Sequence, residues 1–198
     1  MILFLLISFI LICFFLRPRY QEPRVIRNVF TGKMCDRIID LASGKLKPST
    51  ISLGKDVDSS QRKSETAWLN PQNSASVDKM MEKCVSLTDR QFSNAEFLQV
   101  LKYKPGGFYN LHQDAFKNEK NPRLYTCIVA LNDDYEGGET SFPKLGKDFK
   151  LNKGDVLLFN TLDDWGCTTE KAIHGGKPVL SGEKWICNLW IHKYPYEL

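Results

Sequence analysis

Histidine is scarce in this chain, with three in 198 residues, so any imidazole chemistry has few candidates. Cysteine is scattered. Cys13, Cys35, Cys84, Cys127, Cys167 and Cys187 contain no C-x-x-C pair, which argues against a disulfide-built scaffold and a structural zinc site. Buried thiols are the expectation, and one or two disulfides stay open for a domain facing an oxidising lumen. No long run of one charge sign occurs. The net charge is only +4, with 27 basic and 23 acidic residues, and two of the positive charges, Arg17 and Arg19, fall in the first twenty residues. A nucleic-acid partner therefore has no electrostatic support. Low-complexity tracts and internal repeats are also missing, and the composition excludes a disordered tail, a collagen-like chain and a multi-span membrane protein. A composition of 42% hydrophobic and 25% charged residues fits one globular domain of ordinary size.

Only one long apolar run exists, ILFLLISFILICFFL at 2–16. Fifteen helical residues span about 23 Å, less than the roughly 30 Å hydrocarbon core of a bilayer. The length suits a signal-peptide core, but Arg17-Pro18-Arg19 follows in place of a small-x-small cleavage site. A short, uncleaved, single-pass membrane anchor with its linker over 1–23 is the expectation, and the run is expected to be helical. Arg17, Arg19, Arg24 and Arg27 all follow the run, which by the positive-inside rule favours a cytoplasmic carboxyl side.

A polar, Pro-containing linker over 17–30 should lead into a helix at 32–43, with Thr31 as its N-cap and Met34, Ile38, Ile39 and Ala42 on one face. Residues 44–65, rich in Ser, Lys, Gly and Asp, read as a mobile loop. A second amphipathic helix is expected at about 75–88, where Val77, Met80, Met81, Cys84, Val85 and Thr88 fall at helical spacing. From residue 96 the pattern changes to short strands with Gly and Pro punctuation: 97–103, 108–112, 123–132, 139–142, 149–151, 155–159 and 184–192. Strands following helices in this way predict an α+β, mainly β architecture, an antiparallel sandwich or barrel flanked by helices, over 24–198.

The chemistry-bearing residues are few. His112 and Asp114 form an H-x-D at the end of an expected strand, and such a triplet alone is usually a surface polar pair. His174 lies sixty residues after Asp114, and Lys184 ten after His174, inside an apolar strand. Two imidazoles and one carboxylate on neighbouring strands would occupy one face of a metal and leave the other positions open, an arrangement suited to Fe(II). A lysine directed into a small barrel is costly without an anion, and a dicarboxylate would supply one. A snorkelling lysine explains Lys184 taken alone. The ordered set His112-x-Asp114…His174…Lys184 is harder to reach by chance.

The stretch EFLQVLKYKPGGFYNLHQDAF (96–116), then RLYT (123–126), GGETSFP (137–143), G-D-x-L-x-F at 154–159, HGGKPV (174–179) and GEKW (182–185) resembles the 2-oxoglutarate- and Fe(II)-dependent dioxygenases. Within them it resembles the prolyl 4-hydroxylases of the collagen, plant and algal-viral type. That resemblance implies a double-stranded β-helix, or jelly-roll, core preceded by two helices. It implies that His112, Asp114 and His174 ligate iron. Lys184 would bind the far carboxylate of 2-oxoglutarate, helped by Tyr103 and Thr140, with ascorbate as reductant. It also implies a groove for Pro-rich or collagen-like peptides at Glu96, Tyr109, Arg123, Trp190 and His192, joined by Arg62, Ser64 and Trp68 of the segment 62–69. The implied reaction is hydroxylation of peptidyl proline at C4 with release of succinate and CO₂. The secretory lumen is the family's usual setting, against the charge asymmetry above. Three rivals stay open: the same chemistry on another peptide residue such as lysine, a zinc hydrolase with Glu136 or Glu139 as base, and a membrane-tethered jelly-roll binding protein with a vestigial site.

Overall fold

The structure, a computed structural model, describes residues 17–50 and 58–197. The apolar run at 2–16, and with it the helix expected there, lies outside the described residues, as do residues 51–57. Among the described residues no helix is long and apolar enough to cross a membrane.

In chain order the first half contributes β1 (Arg24–Ile26), α1 (Gly32–Ser43), β2 (Lys47–Pro48), β3 (Arg62–Lys63), β4 (Glu65–Leu69) and α2 (Ala75–Val85). The second half contributes β5 (Leu98–Tyr103), β6 (Phe108–His112), β7 (Arg123–Ala130), β8 (Glu136–Gly137), β9 (Thr140–Phe142), β10 (Lys147–Phe149), β11 (Val156–Asn160), β12 (His174–Gly176), β13 (Val179–Ser181) and β14 (Lys184–His192). Every pairing is antiparallel. One sheet runs β1-β11-β7-β14-β5-β4-β2, a second β10-β9-β12-β6-β3, and β13 pairs with β8.

Both expected helices are present for the reasons their sequences suggest. The Thr31 hydroxyl accepts from the Met34 amide at 3.3 Å, capping α1. Ser74 caps α2 in the same way, and Asp78 in its first turn complements the helix dipole. Both helices lay their apolar faces on the outer side of the seven-stranded sheet. Cys35, Ile38, Val77, Met80, Met81 and Cys84 meet Leu98, Val100, Cys127, Val129, Cys187, Leu189 and Ile191 there. The opposite face of that sheet sends Leu101, Ile128, Leu157 and Ile186 against Phe142 of the five-stranded sheet and Phe159. Alternation along β14 thus gives odd positions to the helices and even positions to the interior between sheets. A strand buried on both faces reads as a nearly unbroken apolar run, as KWICNLWIH does.

Several expected boundaries move. The helix expected at 75–88 stops at Val85. The strand expected at 149–151 is instead β10 at Lys147–Phe149, paired with β9. The linker contains β1, which pairs with β11 through Arg24↔Leu158. The ends of the loop expected at 44–65 are tied into sheets as β2 and β3. Backbone hydrogen bonding to an available sheet edge decides each of these short pieces, and side-chain pattern over two or three residues carries too little signal to show it. The described cysteines are free thiols, with Cys35, Cys84, Cys127 and Cys187 buried and Cys167 exposed.

Candidate active site

His112 ends β6 and His174 begins β12, and the two are directly paired across the ladder. Asp114 follows two residues after β6. One ligand atom from each of the three side chains lies within 4.8 Å of the others. Each imidazole Nε2 stands 3.6 Å from an Asp114 carboxylate oxygen, too far for a hydrogen bond and near enough to share one ion.

The remaining ring nitrogens fix the tautomers. His112 Nδ1 lies 2.8 Å from the Asn110 carbonyl, and His174 Nδ1 lies 3.0 Å from the Ala172 carbonyl. A carbonyl only accepts, so each Nδ1 carries the proton and each Nε2 lone pair faces the Asp114 side. Phe142 stacks on the His174 ring at 5.3 Å and Phe159 meets it edge-on at 4.7 Å. Burial, with the nearby His112, pushes His174 down to about 4, so this imidazole is neutral at pH 7. Burial alone would raise the Asp114 carboxyl, but His174, His112 and Arg123 together hold it well below the usual carboxylate range. The Thr126 hydroxyl donates to Asp114 Oδ2 at 2.7 Å. The imidazoles of His112 and His174 and an ionised carboxylate are a donor set that Fe(II) accepts, so the residues present fit that metal.

The backbone around the pair is irregular for a reason. Between His174↔His112 and Gly176↔Tyr109, β12 advances two residues and β6 three. This bulge turns Tyr109 to the same side as His112, and the two rings stack at 3.7 Å. Gly175 sits where the strands close up. A Cβ there would lie 2.9 Å from the Tyr109 carbonyl oxygen and 3.2 Å from the Asn110 carbonyl carbon.

Lys184 begins β14, paired with Tyr103 on β5. Lys184, Tyr103 and Thr140 are each 5% exposed. The ammonium donates to the Gly138 carbonyl at 2.7 Å, and among the described residues no carboxylate lies within ion-pair distance of it. Burial, with Lys150 nearby, pushes Lys184 down to about 8. Gly138 holds a φ of +66°, and a Cβ there would meet the Lys184 stem at 3.1 Å. A buried cation with one carbonyl partner is an incomplete anion site.

Next to the triad lies a second cluster. Arg123 grips Glu96 with two bonds, of 2.5 and 3.0 Å. His192 Nε2 stands 2.8 Å from Glu96 Oε1, and its Nδ1 2.7 Å from the Asn121 carbonyl. Glu96 and His192 therefore turn their polar atoms inward, on each other and on Arg123. Although burial favours the neutral acid, His192 and Arg123 lower the Glu96 pKa. The Arg123 guanidinium lies 3.8 Å from the Trp190 ring centroid, and the exposed Trp68 packs 6.0 Å from Trp190. Arg62 stacks over Tyr109 at 4.5 Å and donates to Ser64. Two buried donors here, Arg62 Nη2 and Trp190 Nε1, have no hydrogen-bond partner among the described residues.

Arg123 owes its direction to another bulge. Ile191 opposes Tyr125 and His192 opposes Arg123, so Leu124 is the extra residue. Regular alternation would send Arg123 to the helix side with Tyr125 and Cys127. All fourteen residues that the resemblance singles out thus fall on strands or within two residues of one. Sequence reasoning missed Thr126, Asn121, Phe142 and Phe159. A threonine or phenylalanine in a strand carries no mark of its neighbour, though Phe142 lies inside the GGETSFP motif.

Comparison with known proteins agrees with this geometry. The profile of the 2OG-Fe(II) oxygenase superfamily matches residues 98–192. A protein of Acanthamoeba polyphaga mimivirus, provisionally named a prolyl 4-hydroxylase, is 34% identical over 185 residues, covering 88% of this chain and 75% of its own. Prolyl 4-hydroxylase 1 of Arabidopsis thaliana is 32% identical over 197 residues, covering 87% and 70%. The crystal structure of viral collagen prolyl hydroxylase from Paramecium Bursaria Chlorella virus-1 with 2OG superposes with a TM-score of 0.73 at 30% identity, covering 88% of this chain and 97% of that one. By sequence and by fold, the chain belongs to the 2OG-Fe(II) oxygenase superfamily, among its prolyl 4-hydroxylases.

Proposed function

We propose that this chain is a peptidyl-prolyl 4-hydroxylase and that its active centre is the interior that holds the triad and Lys184. The observation that carries the reading is the pairing of a convergent His-Asp-His set with a buried lysine lacking an anion. Names of the relatives direct it to proline in Pro-rich or collagen-like peptides. The zinc-hydrolase reading leaves Lys184 without purpose and runs against the family. Complete retention of the ligand set argues against a vestigial site.

When bound, Fe(II) with 2-oxoglutarate, O₂ and ascorbate as reductant supplies the oxidant that replaces hydrogen by hydroxyl at C4 of proline, with succinate and CO₂ as products. The chain's own residues position and insulate. His112, Asp114 and His174 hold the metal, with Thr126 fixing the carboxylate. Lys184 meets the far carboxylate of 2-oxoglutarate, beside the hydroxyls of Tyr103 and Thr140. Phe142 and Phe159 keep water from the His174 side. Tyr109, Trp190 and Trp68 offer flat faces to proline rings, which a polyproline-II peptide presents at low ordering cost. Glu96 and His192 act through Arg123, which they hold in place. We read residues 1–23 as a membrane anchor and linker; the family's usual secretory setting supports a lumenal catalytic part, whereas Arg17, Arg19, Arg24 and Arg27 favour the cytoplasmic side.

The test offers the full-length chain, in detergent with Fe(II), 2-oxoglutarate and ascorbate, three peptides: poly-L-proline, a Pro-Pro-Gly repeat and a lysine-bearing peptide without proline. Succinate release should rise with the first two and not with the third. Stimulation by the lysine peptide alone would overturn the substrate.

A further inference from the structure

The linker is not slack where it enters the fold. The Arg19 amide donates to Asp164 Oδ1 at 2.7 Å, and the Asp164 amide donates back to the Arg19 carbonyl at 2.9 Å. Tyr20 donates its hydroxyl to the Asn160 carbonyl at 2.8 Å, and Glu22 pairs with Lys147. β1 then continues the contact by joining β11. From residue 19 onward the chain is fastened to the segment 160–164.

That segment opens a small hairpin closed by the Leu162↔Thr168 bridge. Asp163 Oδ1 accepts from the amides of Trp165 and Cys167, at 3.0 and 2.9 Å, which fixes the tip. Trp165 stands on that tip with 61% of its surface exposed. Phe116, 55% exposed, borders the same hairpin across a cavity of about 230 Å³ lined by Leu162, Gly166 and Cys167. The hairpin also adjoins the active site: Thr161 donates to the Arg123 carbonyl, and Gln113 Nε2 donates to the Thr169 carbonyl at 3.1 Å.

The uncharged apolar run of the sequence ends at Leu16. Three residue steps separate Leu16 from the fastened Arg19, at most about 11 Å when fully extended. A bilayer that receives residues 2–16 must therefore lie within that distance of the Asp164–Trp165 hairpin. Tryptophan favours the headgroup region, where its ring is apolar and its N–H stays wet. Exposed Arg17 and Arg19 suit phosphate groups at the same level.

We propose that the face formed by residues 17–22, the 162–168 hairpin and Phe116 docks on a phospholipid bilayer, with Trp165 seated in its interface. The docking holds the mouth of the active site beside the membrane, so its peptide substrates are taken up close to that surface. The inference rests on the reading of residues 2–16 as an anchor, and the test separates the two.

Full-length protein would be reconstituted into phosphatidylcholine vesicles whose acyl chains are brominated near the headgroup, with flotation measured on the same samples. Brominated lipid should quench part of the tryptophan fluorescence, and W165F should lose at least half of that quenching while floating as before. A second variant, with eight Gly/Ser residues inserted between Leu16 and Arg17, should still float and show at least a twofold smaller quenching. Equal quenching in the wild type and W165F, or an insertion without effect, would overturn the docking and leave the anchor standing. Failure of the wild type to float would remove the anchor, and the docking with it.

Discussion

Thr126 contributes one hydroxyl to the site, and its removal should register at the metal more than in the fold. Thr126→Val keeps the volume and removes the donor to Asp114 Oδ2. Partners that orient a metal ligand typically matter ~10–100-fold in metal affinity, so the variant should bind Fe(II), measured anaerobically, about tenfold more weakly with little change in Tm. Lys184 gives a pH prediction with a definite sign. Its folded-state pKa of about 8 lies below the ordinary lysine value of 10.5, and the protonated form is the one that meets a carboxylate. Affinity for 2-oxoglutarate should be flat below pH 7 and fall as the pH rises through 8, towards about tenfold per unit. Lys184→Ala should bind weakly at every pH, with no such fall. The ligand-free fold has the opposite dependence: an unfolded chain binds the extra proton between pH 8 and 10.5, so Lys184 adds stability as the pH rises through that window. At this scale much of the proposed site was legible, because His112, Asp114, His174 and Lys184 form one ordered set, although each taken alone has an ordinary explanation. Thr126, Phe142 and Phe159 were not, since nothing about a strand threonine or phenylalanine names the residue it touches.

Individual elements depend on two irregularities that no alternation pattern predicts. The β6 bulge brings Tyr109 onto His112, and the extra Leu124 on β7 turns Arg123 toward Glu96 and His192. Gly175→Ala should disturb the first. Its Cβ would press on the Tyr109 carbonyl oxygen and the Asn110 carbonyl carbon, strand backbone that cannot yield as a side chain would. We expect a Tm several degrees lower and a weakened metal site together, read by calorimetry and Fe(II) titration, whereas a change at an ordinary exposed strand position would alter neither. Helices α1 and α2 were readable because a cap and a full apolar stripe each repeat the message over three turns. Strands of two or three residues, such as β1, β2 and β10, exist only because a sheet edge accepts them, and that edge is formed by residues far away in sequence. Parity succeeded where the strand is regular: Lys184 and His192, eight residues apart on β14, share a face.

For the molecule as a whole, the helix-covered sheet and the interior between sheets divide the work. The outer core carries the thiols Cys35, Cys84, Cys127 and Cys187, all buried among apolar side chains. A hydrogen bond with Cys127, and burial after it, raise the Cys84 pKa, and burial raises that of Cys187. In the native protein these four should resist a thiol reagent until denaturant is added, while Cys167 reacts at once; mass spectrometry of labelled peptides distinguishes them. Rapid native labelling of Cys84 or Cys187 would mean that α2 does not cover the sheet as described. The inner space, by contrast, holds the charged and aromatic residues assigned to chemistry, and its order in sequence follows from the order of the strands. That is why the ordered set His112-x-Asp114…His174…Lys184 points to a single proposed site.

The most direct measurement supplies the full-length chain with Fe(II), ascorbate, 2-oxoglutarate and a proline-rich peptide, and counts succinate and 4-hydroxyproline in the same reaction, with His174→Ala alongside. The account predicts the two products in equal amounts and neither from the variant. Folded, iron-loaded wild-type protein that yields no hydroxylated proline, or a His174→Ala variant that yields as much, would contradict it.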